Sequence, residues 1–257
     1  MEFLRTLAVI AGNTVRELIR NKLLYNILIF AVLLIASSMF VAQLTIGQWD
    51  RIILDMGLAA MELSGVLVAV LIGVSVVAGE IDRRTIFATL AKPLRRSGFL
   101  LGRYAGLLTT LAIMVAIMFA VLALVLWLAG YTMSATAAAA GLLIFVELAI
   151  IAASAMLFSS FTTPVLASAF SLCLFLIGHL LSDLQQFRQR SNSGLARLAL
   201  DVVYRVLPDL ELFNLKSSAA NALPLPPGIL AATLYGCAYT VAVLFLAVAV
   251  FGRRDLK

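Results

Sequence analysis

Long stretches without a charged residue are the feature that most constrains how this chain folds. Lys22 and Asp50 bracket 27 uncharged residues, and Arg103 and Glu147 bracket 43. About 20 apolar residues suffice for a helix to cross a bilayer. Lipid admits only helices and closed barrels, because every backbone polar group must be paired internally. Barrel strands would alternate over short segments, so these continuous runs predict an all-α integral membrane protein.

The composition supports this class and argues against others. Of the 257 residues, 63% are hydrophobic and 12% are charged, whereas about 25% are charged in an ordinary soluble domain. In a membrane protein the net charge of +6 indicates topology and anionic lipid, not nucleic acid. Cys173 and Cys237 both lie in uncharged runs, so we expect no disulfide framework and no metal site. No Lys follows a Gly, so no P-loop is expected.

Breaks in the apolar runs predict the number of spans. Gly130 opens a polar turn that divides the longest run, and Pro164 disfavours helix at the residue before it. Five spans are the alternative if residues 136–182 cross the membrane once and not twice. Basic residues favour the side that would hold both termini, which predicts cytoplasmic termini in a bacterial-type inner membrane. We predict one domain over 1–257, with spans at about 24–44, 56–79, 99–129, 136–158, 164–182 and 229–251.

Two segments are too polar to span. Residues 1–22 are predicted to form an amphipathic helix in the inner membrane interface, with Arg16, Glu17 and Arg20 on its polar face; a solvated tail is the alternative. Residues 183–228 are the sizeable exterior segment. They are predicted to form short helices resting on the outer membrane face, where they could cover an exit, and a solvated connector is the alternative.

Polar and small residues inside the spans are candidates for a translocation path. Glu62, near the outer end of span two, and Glu147, near the middle of span four, are functional candidates because acids are costly in lipid. The alternative is a structural hydrogen bond or a protonated acid, and this alternative is the preferred interpretation for Glu62. His179 is interpreted as a packing or interface histidine. The other candidates are small residues that recur every four positions on span two, a spacing that lets helix backbones approach: Gly65, Ala69 and Gly73.

The densest charge in the chain lies in the loop at 80–97, between spans two and three. About two helical turns are predicted to end before Lys92, because Pro93 follows it. Ile86, Phe87 and Leu90 are apolar in this exposed loop and need lipid or a partner to cover them. An ordinary positive-inside loop is the alternative. The polar candidates for a docking surface around these apolar residues are Glu80, Asp82, Arg83, Arg84, Thr85, Lys92, Arg95 and Arg96.

Three motifs in and after this loop carry a resemblance to a known family. Gly79-Glu80-Ile81-Asp82-Arg83-Arg84-Thr85, Lys92-Pro93-Leu94 and Phe99-Leu100-Leu101-Gly102-Arg103 resemble the stretch after the second span of ABC-2 type permeases. They are most similar to the branch associated with multicopper-enzyme and nitrous-oxide-reductase maturation. The similarity extends to the exterior stretch 207–215 and the terminal stretch 251–256. Arg84 departs from the pattern, where a small residue is common.

The resemblance implies the permease subunit of an ATP-binding-cassette exporter. Such a permease pairs with a second copy or a close paralogue, and substrate passes between the two along spans two and five. A cytoplasmic ATPase dimer holds ATP and Mg, this chain binds no cofactor, and the loop at 80–97 is the coupling helix beside the interfacial helix. Membrane lipid and an accessory protein outside the cell membrane are further candidate partners. The alternatives are a scaffold or mechanotransmission subunit that moves no solute, and an enzyme or ion-coupled carrier that uses Glu62 and Glu147.

Overall fold

The computed structural model describes residues 2–44, 47–82, 96–190 and 204–253, and within these ranges the chain contains helices and no strand. This confirms the predicted all-α class. A 3-10 helix, Leu210–Phe213, precedes α7. The α-helices are α1 (Glu2–Ile19), α2 (Lys22–Gln43), α3 (Trp49–Asp82), α4 (Arg96–Leu128), α5 (Ala135–Phe161), α6 (Pro164–Arg190), α7 (Lys216–Ala220) and α8 (Ile229–Arg253).

Six of the described helices are long and apolar enough to cross a membrane, which confirms the six-span prediction. The largest differences from the predicted bounds are at α3, which begins at Trp49 and not near residue 56, and at α6, which ends at Arg190 and not near residue 182. Asp50, Arg51 and Asp55 therefore lie in the first two turns of α3, where Arg51 and Asp55 are exposed. Charged side chains at an exposed helix end do not interrupt the helix. An acid in the first turn interacts favourably with the positive end of the helix dipole.

The predicted breaks between spans are formed by local backbone chemistry. Gly130 follows α4 with a φ of 85°, a conformation that glycine adopts without a steric penalty. The Ser134 side chain then accepts a hydrogen bond from the Ala137 amide at 3.1 Å and caps α5. Pro164 starts α6, the position where its missing amide hydrogen costs nothing. These signals explain why the longest uncharged run folds as two helices.

Helices α3 and α5 form the centre of the bundle. Both are largely buried within the chain, whereas most of α2, α6 and α8 faces outward. Gly65 faces Leu148, and Gly73 lies against the Ala155 side chain and the Ala152 carbonyl. Helix α4 joins this centre through the Tyr104 hydroxyl, which donates to the Ala149 carbonyl at 2.9 Å. Small residues and hydrogen bonds between helices are the usual means of association in lipid.

The N-terminal helix α1 packs against the beginning of α4. Gly102 lies directly under Ile10, and Gly106 lies under Thr14 and the Ala11 carbonyl. This is a Gly-x-x-x-Gly spacing, which presents a flat helix face that a neighbouring backbone can approach closely. The contact is completed by an ion pair between Glu17 and Arg103. Helices α1 and α4 are therefore held together as one unit.

The described part of the exterior segment, 204–228, packs deeper than the predicted position on the membrane face. Leu210 and Phe213 of the 3-10 helix and Ala219 of α7 are fully buried. Gly178 of α6 leaves room for Leu210, and Gly236 of α8 leaves room for Phe213. The apolar side chains of this segment gain more contacts between the helices than on a membrane surface, so the segment inserts into the bundle. Residues 191–203 of the predicted exterior segment lie outside the described residues.

Candidate functional site

Three of the intramembrane candidates meet at one place inside the bundle. Glu62 comes from α3, Glu147 from α5 and His179 from α6. The His179 Nε2 atom lies 3.1 Å from Glu62 Oε1 and 3.7 Å from Glu147 Oε1. Glu62 is 4% exposed and Glu147 1% exposed. The sequence offered these residues as separate candidates, and the fold brings them together.

Parallel packing of α3 and α5 explains why the two acids lie at the same depth. Glu62 is 13 residues from the start of α3, and Glu147 is 12 residues from the start of α5. At 1.5 Å per residue both lie about 20 Å from the beginnings of their helices. Glu62 is thus deeper than the predicted position near the end of its span, because α3 starts at Trp49. His179 lies two residues before the end of its apolar span at Leu181, which agrees with the predicted position near the end of that span.

A fourth member of the site, Lys216, comes from the exterior segment. Its Nζ atom forms an ion pair with Glu62 Oε2. The Lys216 amide donates to Asn214 Oδ1 at 3.4 Å, and the Asn214 side-chain amide donates to Glu211 Oε1 at 3.0 Å. We refer to Glu62, Glu147, His179 and Lys216 as the charged cluster. It joins three spans to the inserted exterior segment.

Sequence analysis did not identify Lys216 as a site residue. A usable signal existed, because Lys216 is the only basic residue between Arg205 and Arg253. A buried carboxylate needs a positively charged or hydrogen-bonding partner. An isolated lysine in an otherwise apolar segment is a suitable partner for one of the intramembrane acids.

The orientation of the His179 ring is fixed from two sides. Its Nδ1 atom lies 3.2 Å from the Phe175 carbonyl oxygen one turn earlier, and the two rings are in contact with centroids 4.7 Å apart. A carbonyl only accepts, so Nδ1 carries the hydrogen. The Nε2 atom then faces the two carboxylates, either as a lone pair or as the second N–H of an imidazolium.

Charge within the cluster is not balanced by Lys216 alone. Two carboxylates face one ammonium group, and a buried charge without a partner costs several kcal/mol. In the described part of the chain, Glu147 Oε1 and His179 Nε2 have no hydrogen-bond partner. One more positive charge, placed between these two atoms, would complete the cluster.

The remaining path candidates have a packing role within the chain. Gly65 and Gly73 face α5, and Ala69 is completely buried. Their part in translocation stays a prediction.

In the exterior segment, burial raises the pKa of the Asp209 carboxyl above its ordinary value.

The predicted docking surface falls largely outside the described residues. Glu80 and Asp82 belong to the last turn of α3, and Arg96 is the first residue of α4. Arg16 and Glu17 of α1 are exposed, and so is Arg20 directly after the helix; their place in the membrane interface stays a prediction. The positions that lie outside the described residues are Arg83, Arg84, Thr85, Ile86, Phe87, Leu90, Lys92 and Arg95.

A cleft of about 240 Å³ opens where α1, α3 and α4 meet, beside the ends of the 83–95 stretch. Glu17 and Asn21 line it from the N-terminal side, Ser75 and Gly79 line it from α3, and Arg103 lines it from α4. This end of the bundle therefore has a groove lined by Gly79 and by the exposed, charged side chain of Glu17.

Six apolar helices around a buried charged cluster define a multi-pass membrane protein. Comparison with known families identifies it further, because residues 8–256 match the family described as ABC-2 family transporter protein. The chain belongs to the ABC-2 transporter family and is the permease subunit of an ABC transporter, the membrane component that works with an ABC ATPase subunit. A comparison with curated proteins gave no match.

Proposed function

We propose that this permease is an exporter subunit, in which ATP hydrolysis by a separate cytoplasmic ATPase dimer drives substrate across the membrane. The observation that carries this proposal is the joint between α1 and α4. Gly102 and Gly106 bring the two helices into backbone contact, and Glu17 pairs with Arg103. A force applied at this end therefore moves α1 and α4 together and does not bend a loose N-terminal tail.

Helix α3 would carry the movement to the charged cluster. It is continuous over 34 residues, about 50 Å, and contains no proline. Its C-terminal end leads into the loop at 80–97, which we propose contains the coupling helix seated in the ATPase. Closure of the ATPase dimer would bind one arrangement of this end better than the other and shift the population of the bundle.

We infer the remaining context from the motif similarity and from the distribution of basic residues. Both termini lie on the cytoplasmic side of a bacterial inner membrane, because basic residues are more frequent on that side. Two permease copies, or this chain and a close paralogue, enclose the path. ATP and Mg belong to the ATPase. The motifs at 79–85, 92–94 and 99–103 favour the branch associated with multicopper-enzyme and nitrous-oxide-reductase maturation.

The test uses inside-out vesicles that contain the permease and its cognate ATPase. The vesicles are incubated with cell extract and ATP, and their contents are compared by mass spectrometry with vesicles given a non-hydrolysable analogue. An exporter accumulates at least one compound only with ATP, and Phe87→Asp should abolish that accumulation while ATP hydrolysis continues. Stable ATPase association without any ATP-dependent accumulation would instead support the scaffold alternative.

A further inference from the structure

We propose that the charged cluster binds a divalent transition-metal cation of the Zn²⁺ type, ligated by Glu62, Glu147 and His179. A metal site was not expected from the sequence, because no His/Cys cluster occurs along the chain. The ligands come from three helices and are separated by 85 and 32 positions. This inference concerns the residues of the cluster alone and does not depend on the direction of transport.

The ligand atoms have the spacing of a coordination shell. One carboxylate oxygen from each acid and the His179 Nε2 lie within 4.8 Å of one another. The two measured separations from Nε2 are 3.1 and 3.7 Å. Zinc bound at about 2.0–2.2 Å to tetrahedral N and O ligands separates those ligands by roughly 3.3–3.5 Å. The two distances from Nε2 lie on either side of this value, and the two carboxylate oxygens, which lie within 4.8 Å of each other, would be drawn together by side-chain rotation as the ion binds.

Two atoms point into the centre of this shell without a partner among the described residues. They are Glu147 Oε1, on an almost fully buried side chain, and His179 Nε2. The contact between His179 Nδ1 and the Phe175 carbonyl is the support that metal-bound histidines use to orient the opposite nitrogen. The geometry thus prepares a nitrogen lone pair beside a free carboxylate oxygen.

The donor set selects among cations. Mg²⁺ and Ca²⁺ prefer six or more oxygen ligands, whereas an imidazole nitrogen with two carboxylates suits Zn²⁺, Co²⁺ and similar ions. The Lys216 ammonium occupies the other oxygen of Glu62 and leaves Oε1 directed to the centre. Its positive charge opposes a second cation nearby. Removing that charge should therefore tighten metal binding.

The cluster is accessible from one direction. The side chains of His179 and Lys216 are 18% and 19% exposed, while that of Glu147 is 1% exposed. An ion would therefore approach along the His179 and Lys216 side, where the exterior segment packs against α6. Occupancy would in turn depend on how closely that segment is seated.

The experiment is a metal titration of the purified full-length permease in nanodiscs, with an affinity tag that contains no histidine. Metal-depleted protein is titrated with Zn²⁺ against a chromophoric chelator, and with Co²⁺ while the visible ligand-field absorption is recorded. We expect one ion per chain and the intense absorption of four-coordinate Co²⁺. Because His179 is the single histidine of the chain, a Zn²⁺-dependent shift of its ¹⁵N imidazole signals reports binding at this site.

Matched variants decide the assignment. Glu147→Gln and His179→Ala should each weaken Zn²⁺ binding more than tenfold, since loss of even an outer-shell group typically costs about 10–100-fold. Lys216→Met should tighten binding several-fold. Asp55→Asn, at an exposed acid of the same helix as Glu62, and the double variant Cys173→Ser with Cys237→Ser should bind like the parent.

Two results would overturn the proposal. One is the absence of stoichiometric binding by the parent protein up to millimolar metal, which would mean that an imidazolium or a protonated Glu147 completes the cluster without a metal. The other is unchanged binding in Glu147→Gln and His179→Ala, which would place the metal elsewhere. Glu147→Gln preserves shape and removes one charge, so a monodisperse Glu147→Gln sample that still binds one ion counts against the site even if His179→Ala does not fold.

Discussion

At the scale of single residues, the Glu62–Lys216 ion pair links parts of the chain that are 154 positions apart. Both side chains are mostly buried, with 6% and 19% exposed. Desolvation makes such a pair a modest contributor to net stability, but loss of one partner leaves the other charge without compensation. Replacing one partner alone is therefore expected to lower the stability of the protein more than replacing both.

A double-mutant cycle at this pair gives the first prediction. Glu62→Gln alone and Lys216→Met alone should each lower the free energy of unfolding by about 3 kcal/mol, because each leaves a buried charge unpaired. The double variant should recover most of that loss. Thermal unfolding of the detergent-solubilised permease measures all four states, and strictly additive losses would show that the two charges do not interact.

At the scale of elements, glycines decide how closely helices approach. The α1–α4 contact depends on Gly106, where an added side chain would collide with Thr14 and with the Ala11 carbonyl. Backbone atoms cannot move aside as a flexible side chain can. Gly12, on α1 itself, has open space around it and provides a matched control.

We predict that Gly106→Leu separates α1 from α4, whereas Gly12→Leu does not. The separation should reduce the amount of ATPase that co-purifies with the permease, and it should lower the melting temperature. Both effects follow from the same lost contact. Equal recovery of the ATPase with the two leucine variants would remove α1 from the proposed coupling joint.

The inserted exterior segment gives a second prediction at this scale. Phe213 is 1% exposed and packs beside Tyr235 of α8, while the adjacent Leu212 is 48% exposed. Phe213→Ala should destabilise the protein by about 3–5 kcal/mol, the usual cost of a large aromatic cavity, and Leu212→Ala by less than about 1 kcal/mol. Limited proteolysis of the segment in nanodiscs should follow the same order. Equal protease resistance of the two variants would contradict the insertion.

The sequence predicted the elements better than their assembly. Uncharged run length, Gly130 and Pro164 fixed the six spans, and the four-residue spacing of Gly65, Ala69 and Gly73 indicated the close helix contact that α5 makes. Insertion of the exterior segment was not predictable, because Leu210 and Phe213 look the same whether they face lipid or protein. The charged cluster required the relative depth of three helices, which depends on exact helix starts such as Trp49.

At the scale of the whole molecule, the asymmetry of charge places the contact with the ATPase at one end. The 83–95 stretch carries four basic residues, and the groove bordered by α1, α3 and α4 opens at the same end of the bundle. The opposite end also carries bases, such as the exposed Arg205. Charge at the two ends should therefore have different effects on assembly.

Charge reversal tests this difference. Arg83→Glu combined with Arg84→Glu should weaken ATPase binding by about tenfold or more, since like charges across an interface cost several kcal/mol and suppress association. Arg205→Glu should leave binding unchanged. The measurement is recovery of the ATPase in pull-down at two salt concentrations, and the defect should be smaller at high salt because charge is screened there. Full recovery with the Arg83 and Arg84 reversals would exclude these residues from the contact.

The link between Glu62 and Lys216 also has a consequence for biogenesis. A ribosome that adds about 5–20 residues per second needs roughly 10–30 s to pass from Glu62 to Lys216. During that interval the second span must enter the bilayer with Glu62, although Lys216, its partner in the ion pair, has not yet been synthesised. Its long apolar flanks, and not the ion pair, must therefore secure insertion. The lysine arrives after the first five spans and before the sixth, and it then ties the exterior segment to the second span.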